Sequence, residues 1–366
     1  MIVVWRVSER CNLACPFCAC DRRLRRPRAT AGAAQVAAFG AVLAEYQRLT
    51  GDAVLVSWLG GEPLLWPPLR ALTERFAGAL GLRVSTTTNG TPLASAAVRA
   101  HLLEHYHELT VSVDGIGAVH DRLRGWPGGF EVLRGSVAAL AGECRASGRG
   151  PRLRANVVLT RHTLAGFERL CHELAGWGIE EITFNQLGGN DRPEFFAANR
   201  LLPADAEWLG EHLPRLRAEL AGRGVRLAGG AGYLRRIHAS TLDRRIAVDD
   251  CLPGQRFLFI DERGMASPCS FTAGVYGVPL GEIGSGEALR ELPGRFASLR
   301  SLHRSPACGD CHGTHVFEKF SPVALQYGGA ARQGADVFPP PLPREERHPE
   351  GAGAPIPAVA LIPTAA

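Results

Sequence analysis

Apolar and polar positions alternate with two different periods along this chain. Short runs rich in Val, Ile, Leu, Thr and aromatic residues read as strands: Ile2–Ser8, Ala53–Leu59, Arg83–Thr88, Glu108–Val113, Leu153–Leu159 and Glu181–Gln186. Between and after them the period is helical. Leu69, Leu72, Phe76 and Leu80 share one face, as do Leu209, Leu213, Leu216 and Leu220 beyond the sixth strand. Such alternation predicts an α/β fold with a parallel sheet. Six β-α repeats without a Rossmann glycine fingerprint predict a partial (β/α)6 barrel of the TIM type. Its functional groups belong at the C-terminal ends of the strands.

The pattern changes near residue 225. A strand over Arg256–Ile260, a turn at Asp261–Gly264 and a second arm ending at Cys269 predict a β-hairpin, followed by a helical stretch into Cys308. From about Ser321 the chain is rich in Pro, Gly and Ala, including Pro339-Pro340-Pro341, and reads as a disordered tail. The expected division is therefore 1–225, 226–320 and 321–366. A length of 366 residues with 46% hydrophobic content fills one large core and a smaller one, and no apolar run is long enough to span a membrane. The net charge of +5 is carried almost entirely by arginine and does not point to nucleic acid. Met1–Arg10 lacks the features of a signal peptide, so ten cysteines suggest metal or redox chemistry in the reducing cytoplasm.

Candidate chemistry begins just after the first strand, in Cys11-Asn12-Leu13-Ala14-Cys15-Pro16-Phe17-Cys18. Three thiolates at C-x3-C-x2-C spacing can hold three irons of a [4Fe–4S] cube and leave the fourth iron open. A zinc site usually takes four ligands in two close pairs, which this triplet does not supply. Cys20 is a spare thiol, expected to pack beside the cluster. The run Arg22, Arg23, Arg25, Arg26 and Arg28 reads as a solvated loop, with docking of an acidic reductase or acidic peptide as the functional alternative.

Each later strand end carries polar or glycine-rich residues: Gly60-Gly61-Glu62-Pro63, Thr86-Thr87-Thr88-Asn89-Gly90, Ser112-Val113-Asp114-Gly115, then His120-Asp121-Arg122-Leu123-Arg124-Gly125. Two glycines would let the backbone approach a ligand closely, and Glu62 offers an acceptor for an ammonium. Singly these are common turn sequences. In this order after the cysteine triplet they resemble radical SAM enzymes over about 225 residues. The resemblance implies that the open iron chelates S-adenosylmethionine, whose reductive cleavage gives a 5′-deoxyadenosyl radical that takes a substrate hydrogen. It implies that Phe17 packs near the adenine and that Gly60, Gly61 and Glu62 meet the methionyl amino group. Asn89 also falls in the cofactor site by this resemblance. Ser112 and Asp114 would face the ribose or carboxylate, with Asn156 nearby.

A second cysteine set, Cys251, Cys269, Cys308 and Cys311, is spaced C-x17-C, 38 residues, then C-x2-C. With its hairpin and helix it resembles the SPASM/Twitch extensions, and its short form implies one auxiliary [4Fe–4S] cluster on all four cysteines. A zinc ribbon is the competing reading, in which His312 or His315 could serve as ligands. Cys144 and Cys171 lie in helical patterns and read as packing. His101, His105 and His107 read as surface residues.

An auxiliary cluster makes net two-electron oxidation or cross-linking plausible, with a flavodoxin- or ferredoxin-type reductant for the first electron. Candidate bases and substrate contacts are Glu9, Arg122, Arg124, Asn185, Gln186 and Asp191. Two substrate classes compete. One is a ribosomally made precursor peptide, held with the help of a leader-binding partner protein, since no leader-recognition domain precedes the first strand. The other is an alcohol on a small aminocyclitol-like intermediate. A non-catalytic iron–sulfur or zinc protein for electron transfer is the alternative of another class.

Overall fold

The computed structural model describes residues 1–189, 191–248 and 251–313. The expected tail at 321–366 and His315 lie outside the described residues. Ten strands form one sheet: β1 Ile2–Ser8, β2 Leu55–Gly60, β3 Arg83–Thr88, β4 Glu108–Ser112, β5 Arg152–Leu159, β6 Glu181–Gln186, β7 Arg226–Leu227, β8 Phe257–Ile260, β9 Met265–Ser267 and β10 Val278–Pro279. The order across the sheet is β10-β9-β8-β1-β2-β3-β4-β5-β6-β7. Strands β1 to β7 run parallel, and β8 adds parallel to the free edge of β1, with Ile2 opposite Phe257. The hairpin predicted after residue 225 therefore extends the same sheet. Two-residue β7, at its other edge, was too short to leave a periodic signal.

The helices are α1 Ala33–Thr50, α2 Leu69–Glu74, α3 Ala96–His105, α4 Ala118–Arg124, α5 Gly129–Ser147, α6 Phe167–Gly176, α7 Pro193–Asn199, α8 Pro203–Ala221, α9 Ala231–Thr241, α10 Ala273–Tyr276, α11 Gly286–Leu302 and α12 Pro306–Gly309. The helix expected through Leu80 is regular only to Glu74 and widens into a π-helical turn over Arg75–Ala79. No helix among the described residues is long and apolar enough to cross a membrane.

Side chains alternate across the strands, and the two faces differ in chemistry. Outward positions such as Val3, Trp5, Val56, Trp58, Val84, Leu109, Val111, Ala155, Val157, Ile182 and Phe184 are buried under the helices. There Trp5 packs edge-on against Phe39 of α1, and Trp58 lies 5.2 Å from Phe76. Burying each such side chain contributes about 1.5–3 kcal/mol. As predicted, Leu209, Leu213, Leu216 and Leu220 of α8 are all buried.

The inward face is polar and sorted by height. At the N-terminal strand ends, Arg154 of β5 reaches Glu108 at 3.0 Å and Glu181 at 2.6 Å, while Arg152 and Arg226 each reach Glu181 at 3.0 Å. Burial would raise Glu181, but the three arginines outweigh it and hold the carboxyl below its ordinary range. One step along the strands toward their C-terminal ends the register partners are uncharged: Ser112, Asn156 and Thr183. Ions thus fill the bottom of the barrel, and a level of neutral polar groups lies directly above them.

Candidate active site

The cysteine triplet occupies the loop that leaves β1, at the C-terminal edge of the sheet. The loop is built by short turns, Cys18 N–H donating to the Cys15 carbonyl at 3.1 Å and Asp21 N–H to the Cys18 carbonyl at 3.1 Å. Cys15 is buried, and burial pushes its thiol up to about 12 against the pull of Arg124. Cys18 is the most acidic of the three because the Cys20 thiol and backbone N–H, the latter 3.3 Å from Sγ, both bond to it. Leu13 N–H approaches Cys11 Sγ at 3.5 Å. N–H groups aimed at sulfur suit thiolates that carry a cluster, and Cys20 sits beside the triplet as expected. The donor set fits a cubane with three protein ligands.

The Arg22–Arg28 run folds back on this loop. Arg28 donates to the carbonyls of Ala19 and Asp21, Arg26 to Glu9 and Ala19, and Arg23 to Asp21 and Ala14. Asp21 also pairs with Arg192 at 3.1 Å, and the Arg23 hydrogen bonds bring it down to about 2. Arg22 and Arg25 remain exposed. Arg23 and Arg26 are exposed as well, so the run is solvated as expected while Arg23, Arg26 and Arg28 also brace the loop.

The strand ends predicted to meet the cofactor make their observed contacts with the loop and with one another. A Cβ on Gly60 would lie 2.4 Å from the Ser8 carbonyl oxygen, and one on Gly61 would lie 2.2 Å from that of Arg10. The two glycines are required because the cysteine loop passes against them, not only for a ligand. Gly61 and Glu62 N–H donate to the Ser8 and Arg10 carbonyls at 2.7 and 2.8 Å. The Glu62 carboxylate is buried and accepts from Asn89 N–H at 2.7 Å, Thr88 Oγ1 at 2.8 Å and Leu64 N–H at 3.1 Å. Burial pushes Glu62 up to about 7 against those three bonds. Asn89 in turn donates to Asn12 at 2.9 Å and toward Cys11 Sγ at 3.6 Å.

Asp114 is fully buried, its Oδ1 accepting from Val158 N–H at 2.8 Å and its Oδ2 paired with Arg124 at 2.7 Å. Its contacts here are with the protein itself. Arg124, offered as a substrate contact, is also buried, and its guanidinium lies 5.6 Å from the Phe17 ring. Its carbonyl accepts from Ala14 N–H at 3.3 Å. Within the same segment, Asp121 caps the chain into α5 through Gly128 and Phe130 N–H at 2.7 and 2.9 Å. His120 is held neutral, down to about 3, by burial and by Arg124. At Gly125, φ of +60° and a Cβ that would sit 2.9 Å from Ala14 Cβ both demand glycine. The His120–Gly125 segment is thus a clamp on the cysteine loop.

Beside Phe17 and Cys18 opens a cavity of about 320 Å³, walled by Val158, Asn185, Gln186, Asp191, Tyr233, Arg236, Phe271 and His312. Of the candidate substrate contacts, Asn185, Gln186 and Asp191 are there; Glu9 is not, since it binds Arg26 and Ala29 N–H. Arg122, exposed on α4, is not among the wall residues either. Ser112 and Asn156 lie below, partly exposed, with Asn156 Oδ1 accepting from Thr183 at 3.0 Å. Tyr233, Arg236 and Phe271 carried no motif, and only folding brings them to this wall.

Phe271 and His312 come from the second cysteine region. Cys251, Cys269, Cys308 and Cys311 are electrostatic neighbours, and burial chiefly raises the first, second and fourth. Arg300 donates toward Cys251 Sγ at 3.7 Å, Thr272 Oγ1 lies 3.2 Å from Cys269 Sγ, and Gly313 N–H approaches Cys311 Sγ at 3.4 Å. Among the described residues, neither cysteine set brings three thiols within 4.8 Å of one another. Cys171 is buried and Cys144 packs against the core, as read from the sequence. His101 corrects its reading: it is buried, and burial lowers it to about 4.

Residues 5–143 match the radical SAM superfamily. Pre-heme d1 synthase of Dinoroseobacter shibae is 28% identical over 187 residues, 51% of this chain and 43% of that protein. Mycofactocin maturase MftC of Mycobacterium tuberculosis is 23% identical over 313 residues, 84% of this chain and 75% of the maturase. SuiB of Streptococcus suis bound to precursor peptide SuiA has a similar fold, with TM-score 0.60 at 17% identity over 87% of this chain and 70% of that one. The chain thus spans less than half the length of the synthase. The loop of Cys11, Cys15 and Cys18, with the strand ends that brace it, lies in a radical SAM superfamily domain.

Proposed function

We propose that this protein is a radical SAM oxidoreductase acting on a ribosomally made peptide, with a [4Fe–4S] cluster on Cys11, Cys15 and Cys18. When bound, the cluster and S-adenosylmethionine supply a 5′-deoxyadenosyl radical for hydrogen abstraction. The observation that carries the reading is the cavity between Phe17–Cys18 and Phe271–His312, whose walls come from the neighbourhoods of both cysteine sets. Phe17 offers an apolar face for the adenine, and Gly60, Gly61, Glu62, Asn89, Ser112, Asp114 and Asn156 form or support the pocket of the cofactor. Asp191, a carboxylate on the cavity wall, would accept the proton from substrate.

Cys251, Cys269, Cys308 and Cys311 form a Twitch-type site in residues 226–320 for one auxiliary [4Fe–4S] cluster. Around tetrahedral zinc, thiolates at about 2.3 Å would stand about 3.8 Å apart. The looser spacing of this set favours a cube, in which each sulfur takes its own iron. Similarity to a mycofactocin maturase across 84% of this chain supports the peptide. A cavity near 320 Å³, at the small end of ligand pockets, favours a small alcohol as second reading.

Anaerobic reconstituted protein, S-adenosylmethionine, dithionite and candidate peptide or aminocyclitol are incubated together. The expected outcome is 5′-deoxyadenosine and a product lighter by two hydrogens. Cys15→Ala should abolish deoxyadenosine, and persistence of cleavage in that variant refutes the cluster assignment. A mass loss on the small alcohol alone transfers the assignment to the second reading.

A further inference from the structure

Away from the cysteine loop, α2 and α3 bring together the side chains of Glu74, His101 and His105. Among the described residues they form the one group of His, Cys, Asp and Glu whose three ligand atoms lie within 4.8 Å of one another. His101 and His105 are four residues apart on α3 and so share a face. Their rings are 4.8 Å apart, and His101 Nδ1 is 3.6 Å from Glu74 Oε1. His101 is 8% exposed, and neither ring nitrogen has a hydrogen-bond partner. A buried imidazole left so is costly, by about 1–3 kcal/mol for each unmet polar group. Something that binds a lone pair would remove that cost.

We propose that Glu74, His101 and His105 form a binding site for one zinc ion, clipping α2 to α3. Two imidazoles and a carboxylate are a zinc donor set that leaves one position for water or for Glu104, whose Oε2 lies 3.7 Å from His105 Nε2. With zinc–ligand distances of about 2.0–2.1 Å, tetrahedral donors stand about 3.3 Å apart, within side-chain reach of the observed positions. The backbone suits a cation: His105 ends α3, where the helix dipole and unpaired carbonyls are negative. Glu74 ends α2 where it widens into the π-helical turn Arg75–Ala79, a distortion frequent at functional sites. Arg70 opposes the ion, donating to Glu74 at 3.2 Å, but its side chain is 67% exposed and free to turn to water.

The test uses the holoenzyme with its iron–sulfur clusters loaded, so that cysteines do not take the metal. Zinc chloride is added at a small excess, unbound metal is removed by gel filtration, and zinc and iron are counted. The expected result is one zinc per chain at unchanged iron, with a zinc K-edge first shell of nitrogen and oxygen only. His105→Gln and the more exposed Glu74→Ala should each weaken zinc binding more than about tenfold, since even second-shell losses reach that size. Both should leave iron content and 5′-deoxyadenosine formation as in wild type. Zinc should also raise the unfolding midpoint of wild type and of neither variant. No retained zinc, a sulfur-containing shell, or equal retention in both variants overturns the proposal. Failure of the peptide reading does not alter the result, and zinc already held on cysteine sulfur is measured before zinc chloride is added and subtracted from both the count and the first shell, so failure of the cluster reading is told apart.

Discussion

Asp114→Asn tests whether the buried pair beneath the cysteine loop is what holds that region together. Asp114 and Arg124 are 2.7 Å apart with side-chain exposures of 0% and 9%. Asparagine has the same shape and can keep the 2.8 Å hydrogen bond from Val158 N–H, so the change removes a charge and little else. Arg124 then loses its carboxylate partner and keeps only the Cys15 and Cys18 sulfurs nearby, and breaking such a buried pair from one side costs about 3–5 kcal/mol. At roughly 2 °C per kcal/mol for a chain of this size, the unfolding midpoint should fall by roughly 6–10 °C. A second change separates the charge effect from the shape effect. Asp114→Asn/Arg124→Leu removes the stranded cation and should recover most of that loss, because apolar replacement of a buried pair is often neutral. The Arg124 carbonyl that receives Ala14 N–H is unaffected, so iron content should recover too. Midpoints are read by calorimetry on anaerobically reconstituted protein, with iron counted in parallel. A fall of less than about 2 °C for Asp114→Asn, or a double variant no more stable than the single one, refutes the reasoning.

Three further outcomes follow from the same geometry. Gly61→Ala puts a Cβ 2.2 Å from the Arg10 carbonyl oxygen and 2.9 Å from Cys11 N, both backbone atoms, so the loop must move; iron per chain and cluster absorbance should fall, and full cluster content would count against this packing. Glu62, raised to about 7 by burial, binds its proton more tightly folded than unfolded. Its stabilising contribution is therefore full below its ordinary value near 4.5 and is lost as pH rises through about 7. Glu62→Gln cannot titrate and should flatten the dependence of the unfolding midpoint on pH across that window; an unchanged slope means another group is responsible. Cys308→Ala should lower iron from about eight to about four per chain, two cubes becoming one, while S-adenosylmethionine cleavage persists. Loss of zinc in place of iron in that variant would make the second site a ribbon.

The strands were legible because half of each faces helices and half faces the barrel interior, so the period of two survives in residues such as Val3, Trp5 and Val7. Their ends were placed to within about two residues, as at β2, where Ala53 and Val54 precede the ladder. Partnership was not legible. Nothing in the composition of Phe257–Ile260 tells which edge it joins, and its pairing with β1 is set by tertiary contact. At the site, Gly60 and Gly61 were read as positions where the backbone approaches a ligand, whereas the close approach seen is that of the backbone of Ser8 and Arg10. Asp114 was legible as polar and set at a strand end, yet its partner stands ten residues on, across a turn and α4. The i,i+4 pair His101 and His105 was visible in the sequence; its burial depends on α2 and Tyr106, whose ring is 5.7 Å from that of His101.

The height ordering inside the barrel decides where chemistry can occur. At the lower level, Glu181 meets three arginines and Arg154 meets two carboxylates, so charged valences are spent within the protein. A substrate could enter that layer only by stranding one of those ions, at a cost of several kcal/mol. Above it, Ser112, Asn156 and Asn185 are neutral groups of lower desolvation cost, and the last of them reaches the cavity wall. The ion layer therefore acts as a floor, and it confines a ligand to the end of the barrel where the cysteine loop passes. Charge returns at the strand ends, in the buried Asp114–Arg124 pair, and at the cavity wall, with Asp191 and Arg236 beside Cys18 on one hand and His312 on the other. A ligand held there would have its polar groups addressed by neutral amides below and by one carboxylate and one guanidinium at its side.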